Sequence, residues 1–185
     1  EGLARVAREF VLDLHADGVI YGEIRWAPEQ HLSRGLTLDQ TVEAVQEGLE
    51  AGAEEVRHAG GSIRVGQLVS AMRHADRGLE IAELAVRHRN NGVVGFDIAG
   101  AEAGFPAGNL RDAFDYLAHH FFPATVHAGE ADGLDSIRGA LFDGRALRLG
   151  HGVRLAEDVH TAREDDENTY VTLGPVAQWV KDREI

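Results

Sequence analysis

The sequence predicts an α/β fold built from repeated strand–helix units, of the (β/α)8 TIM-barrel class, with only part of the barrel present. Three observations carry this. Five β-branched or aromatic runs alternate with helical stretches along the chain, the signature of βα units. No hairpin signal joins one run to the next, so the strands should lie parallel under covering helices. The polar residues Glu23 with Arg25, Asp97, His127 with Glu130, and His151 fall in or just beyond those runs, where a barrel gathers its active site. A doubly wound sheet fits the alternation equally well. The placement of the polar groups favours the barrel, and neither GxGxxG nor GxxxxGK(S/T) is present to cradle a phosphate.

The first residues, EGLARVAREFVLDLHADG, read as an amphipathic helix, and GVIYGEIRWAP as a strand ended by Pro28. Thr37 is a plausible N-cap for TLDQTVEAVQEGLEAGAEEVRHAG, which puts Val42, Val45 and Leu49 on one face ahead of Gly60 and Gly61. SIRVGQLVSAM is the next strand, GLEIAELAVRHRNNG a helix with an Asn-Gly stop, and VVGFDIAGAE a further strand. NLRDAFDYLAHHFFP, ATVHAGE, LDSIRGALFDGRA and LRLGHGVRL continue the rhythm. The polar segment from Glu157 to Asn168 reads as a loop before a last helix, GPVAQWVKDREI. His15, His31, His58, His74, His88 and His160 fall on helices or loops and are expected to face solvent, and His119 and His120 belong to a helix. Five strands do not close an eight-stranded barrel. With Glu1 as first residue, already in a helical pattern, residues 1–185 are expected to be the central portion of a single, longer barrel domain.

Composition narrows the partners. Apolar residues make up 44% and the net charge is −13, which argues against nucleic acid and anionic membrane surfaces. There is no cysteine, so disulfides, thiolate metal sites and a cysteine nucleophile are excluded, and any metal must use His and carboxylates. No signal peptide and no apolar run near 18 residues is seen, and a cytoplasmic location is expected. Nothing in the sequence specifies an oligomer.

Four runs carry chemistry. In Thr125-Val126-His127-Ala128-Gly129-Glu130, a His at a strand end among small neighbours suits metal ligation, and a carboxylate three residues on can move protons beside it. A structural, hydrogen-bonded His fits the same spacing. His151, between Gly150 and Gly152, is open either to a ligand or to a role as a core histidine. VVGFDIAGAE ends in an Ala-Gly step whose bare N–H can meet a substrate or simply turn the chain. In YGEIRWAP the period of two puts Glu23 and Arg25 on one face. A structural ion pair and a catalytic pair are both open there.

In this order, VVGFDIAGAE, VHAGE and RLGHGV resemble the zinc-dependent adenosine deaminase family of the amidohydrolase type, and YGEIRWAPEQH is similar to its preceding strand. The resemblance spans almost the whole chain. It implies a (β/α)8 barrel with these segments as its second to sixth strands, and hydrolytic deamination of adenosine, and of deoxyadenosine, to inosine and ammonia in purine salvage. By that resemblance His127 is a ligand of a Zn2+ cofactor and Glu130 the proton shuttle to a purine ring nitrogen. His151 would stabilise the zinc-bound hydroxide, and Gly100 would offer its backbone N–H to the purine. Protonating the ring lowers the barrier to attack, because aromaticity is lost there. The cytidine-deaminase pattern needs cysteine ligands and does not fit.

The departures matter as much. The family's HxH motif and its TDDP-like motif, which complete the zinc site, are absent from these residues. Ala101 stands where the family usually has an acidic residue, which bears on purine binding, while Leu149 for Ile is neutral. Two rival readings follow: a related adenine or modified-adenosine deaminase, and, for the isolated chain, a catalytically inactive fragment.

Overall fold

A computed structural model describes residues 1–165 and 167–185. The chain opens with α1 (Gly2–Ala16) and runs on through β1 (Tyr21–Trp26), α2 (Leu38–His58) and β2 (Arg64–Met72). Next come α3 (Gly78–Arg87), β3 (Val93–Ala99), α4 (Arg111–His119) and β4 (Thr125–Ala128). The remainder is α5 (Leu134–Phe142), β5 (Arg148–His151), β6 (Val159–Glu164), β7 (Thr169–Leu173) and α6 (Pro175–Arg183). Thr37 caps α2 as expected: its hydroxyl accepts from Gln40 N, and the Gln40 side chain accepts from Thr37 N, a reciprocal box that satisfies two orphan donors.

β1, β2 and β3 pair in parallel, as do β4 and β5, and a parallel bridge from Phe96 to Ala124 joins the two sets. The order β1-β2-β3-β4-β5 with a helix after each of the first four is a barrel in progress, not a doubly wound sheet. Curvature confirms it. In a flat sheet β1 and β5 would stand about 19 Å apart, four steps of roughly 4.8 Å. Yet Glu23 on β1 and Arg148 on β5 meet at 2.8 Å, so the sheet curls until its first and last strands face each other.

Alternation sorts the strand residues. Val69, Ala71, Phe96, Ile98, Val126 and Ala128 point outward into a core shared with Ile81, Phe114, Leu117 and Ile137 of the helices. A second core, built on Val11, Val45, Leu49 and Val56, lies between α1 and α2. The concave side carries the polar set.

Two expectations are overturned. Residues 157–168 are not simply a loop: they contain β6, which forms an antiparallel hairpin with β7, and Asp166 lies outside the described residues. Both faces of β6 are exposed, so the segment has no polar–apolar alternation from which to recognise a strand. His88 does not face solvent. It is 7% exposed, with Nε2 2.7 Å from Asp39 Oδ1 and Nδ1 3.2 Å from Asn91 Nδ2, so polar partners offset its burial.

Candidate active site

At the C-terminal rim of the parallel strands the structure brings three of the four predicted site residues together. His127 is the third residue of β4 and His151 the last of β5. The parallel register pairs Ala128 with His151 and His127 with Gly150. The two imidazole centroids are 5.1 Å apart. The Glu130 carboxylate, on the loop just past β4, lies 3.3 Å from His151 Nε2. Gly150 has a plain reason to be glycine: a Cβ there would sit 2.8 Å from His127 Cγ. His151 (φ +66°) and Gly152 (φ +63°) are both left-handed, and a non-glycine residue held there is the kind of backbone strain that accumulates at functional sites.

His127 is gripped from inside the barrel. Its Nδ1 is 2.7 Å from Asp97 Oδ2, a close polar contact in which neither atom completes an aligned hydrogen bond. Asp97 Oδ1 meanwhile accepts from Ile98 N at 2.7 Å and His127 N at 3.2 Å. A buried carboxylate against Nδ1 favours the proton on that nitrogen and leaves Nε2 as the free lone pair, an arrangement that orients a metal-bound histidine. His127 therefore fits a zinc ion as a neutral nitrogen donor. Among the described residues no three His, Cys, Asp or Glu side chains come together as a metal site.

Glu23 and Arg25 share a face, as the period of two predicts, but they do not pair with each other. Arg25 reaches Asp97 at 3.6 Å and Glu23 reaches Arg148 at 2.8 Å. Each bridges strands that are not neighbours, so both serve the polar interior of the barrel.

Gly100 follows β3 with φ +100°, a conformation that favours glycine, and a Cβ there would lie 3.3 Å from the Met72 methyl and 3.4 Å from His74 Nδ1. Two residues later stands a group whose part the sequence reading missed. The Glu102 carboxylate, 9% exposed, accepts from Gly129 N (2.5 Å), Glu130 N (3.0 Å), Ala131 N (2.7 Å), Asp132 N (3.2 Å) and Ser136 Oγ (2.5 Å). Burial alone would raise its pKa. The bonds from Ser136 and the loop amides outweigh that and bring it down to about 2.

Arg73, just past β2, was missed too. It is buried, donating to Phe105 O at 2.5 Å and to His127 O. Burial pushes its pKa down, opposed by the charges of Glu102, Asp97 and Asp132. The one sequence signal for either residue was a charged side chain just after a strand end. Their partners lie about 30 to 50 positions further along the chain.

Comparison with known proteins places this geometry. The family model described as adenosine deaminase matches residues 1–179. Adenosine deaminase 1 of Streptomyces coelicolor is 54% identical over 185 residues, which is 100% of this chain and 46% of that protein. An adenosine deaminase of Mycobacterium ulcerans is 51% identical over 100% of the chain and 50% of its own length. Among solved structures, the apo N6-methyl-AMP deaminase of Arabidopsis thaliana superposes with a TM-score of 0.76 at 26% identity, covering 99% of this chain and 50% of that one. The chain thus spans about half the length of the curated relatives it matches.

Proposed function

The chain belongs to the adenosine deaminase family, and we propose that the whole protein hydrolyses adenosine and deoxyadenosine to inosine or deoxyinosine and ammonia. One observation carries the reading: Glu130 and His151 stand 3.3 Å apart beside the His127 ring, a carboxylate and two imidazoles at a barrel rim. Identity of 54% to an adenosine deaminase, against 26% to an N6-methyl-AMP deaminase, supports adenosine over an adenine or modified-adenosine substrate. The location proposed is the cytoplasm. Among the described residues no helix is long and apolar enough to cross a membrane.

In this mechanism Gly100 N–H holds the purine from the end of β3. Glu130 delivers a proton to a ring nitrogen, which makes carbon 6 electrophilic, and later passes a proton toward the leaving ammonia. His151 orients the attacking water and stabilises the negative charge that develops on its oxygen. His127 would be one ligand of a zinc ion, its ring fixed by Asp97. When bound, zinc supplies a water acidic enough to attack near neutral pH. The other ligands would come from parts of the protein beyond these 185 residues, with β1 to β5 as the second to sixth strands of the barrel. The 185 residues alone would then be inactive.

The test is turnover of adenosine by the full-length protein with zinc supplied, followed by the fall in ultraviolet absorbance and by released ammonia. A well-folded sample with no turnover would sink the reading. Glu130→Gln should lose nearly all rate and keep its metal; an active Glu130→Gln enzyme would remove Glu130 from the proton role. One equimolar, tightly held zinc on the isolated 185-residue chain would contradict the shared-ligand view.

A further inference from the structure

We propose that Glu102 is the positioning residue for Glu130, setting the proton shuttle from across the barrel rim; this rests on the deaminase reading above. Four consecutive backbone amides, Gly129 to Asp132, converge on the Glu102 carboxylate, and Ser136 Oγ adds a fifth bond. A run of N–H groups aimed at one anion is a nest, a backbone conformation that the anion itself holds in place. Here the anion is a side chain from another loop. It binds the amide of Glu130 and those on either side, so the Cα from which the shuttle projects is fixed at three successive peptide units.

The neighbouring contacts point the same way. Gly129 is left-handed (φ +74°) and its carbonyl accepts from Arg154 N at 3.0 Å, while Gly152 N donates to Ala128 O at 2.9 Å. The loop carrying Glu130 is thereby laced to the segment after His151. None of these bonds touches the Glu130 side chain, which among the described residues reaches His151 alone. Orientation of the shuttle therefore depends on the backbone beneath it, and Glu102 contributes most of that backbone's fixed hydrogen bonds. Because Glu102 sits two residues after Gly100, the same turn that meets the purine also sets the group that protonates it.

The experiment uses the full-length enzyme and compares wild type, Glu102→Gln, Glu130→Gln and the double variant. Wild-type turnover of adenosine comes first; its absence overturns the functional reading and this proposal with it. Given turnover, Glu102→Gln should lower kcat on the order of 100-fold, the scale of a misplaced catalytic group, with KM and zinc content unchanged. It should also weaken a stable tetrahedral analogue of the hydrated purine by a similar factor while inosine binds as before. In the Glu130→Gln background the same change should cost nothing further, because both act through one group. An unchanged kcat, a loss spread over KM and zinc, or an equal loss in both backgrounds overturns the proposal. If Glu102→Gln does not fold, Ser136→Ala removes one of the five bonds and should lower kcat roughly tenfold, again only while Glu130 is present; an unchanged kcat there overturns it equally.

Discussion

On the β1–β2 flank, glycine lets helices touch; on the β4–β5 flank, it makes room for a working side chain. Gly48 and Gly52 lie one turn apart on α2, facing α1. A Cβ on Gly48 would come within 2.2 Å of the Ala4 carbonyl oxygen, and one on Gly52 within 2.7 Å of Val11 Cβ. Small residues here allow the backbones to close on the second core of Val11, Val45, Leu49 and Val56. Across the sheet, Gly150 yields its space to the His127 ring, and Gly129 and Gly152 turn the chain beside Glu130 and His151. The same residue type serves stability on one side and geometry on the other, so single methyl groups can separate the two.

The largest effect expected is on the structural flank. Gly48→Ala in the full-length protein places a methyl against main chain, which cannot swing aside, and should cost about 3 kcal/mol of stability with kcat unchanged per folded molecule. Urea denaturation with parallel assays measures both. If kcat falls instead, the flanks are not separable in this way. Gly150→Ala should do the reverse. Its methyl presses on the His127 ring, a side chain with some freedom, so the ring shifts and turnover drops on the order of 100-fold. A denaturation midpoint that moves more than the rate does would erase the contrast.

The features most legible in the sequence are those set by local information. The α2 N-cap at Thr37, the Val42–Val45–Leu49 face and the parallel strands with their polar rim follow from periodicity and capping chemistry. The convergence of His127, Glu130 and His151 followed because β4 and β5 are adjacent parallel strands. Glu102 was invisible by the same logic. It joins amides 27 to 30 positions away, and backbone donors leave no mark in a sequence. Arg73, reaching the His127 carbonyl, has the same difficulty. The β6–β7 hairpin and buried His88 failed for a different reason: polar residues there find polar partners or solvent on all sides, so no apolar stripe reports them.

Two carboxylates extend the comparison to pH, with the smallest expected effect. Asp39 at the start of α2 and Glu102 at the rim are both held at about 2, by different means. For Asp39 the main cause is the bidentate bond from Arg87 at 2.8 and 3.0 Å, with His88 assisting. For Glu102, burial opposes ionisation and uncharged donors overcome it. Each folded-state pKa is depressed, so each contributes stability that is full above the ordinary values of 3.8 and 4.5 and is lost as pH falls toward about 2. Ion pairing to an exposed arginine is screened by salt, whereas bonds from uncharged donors to the buried Glu102 carboxylate are screened far less. At pH 5 the stability deficit of Asp39→Asn relative to wild type should shrink in about 1 M salt, while that of Glu102→Gln stays. At pH 3 both deficits should be smaller than at pH 5, since wild type has begun to lose the same contributions. Urea midpoints across these three conditions decide it. Equal salt sensitivity in the two variants would mean that the rim carboxylate, like the helical one, owes its low pKa to charge and not to the loop wrapped around it.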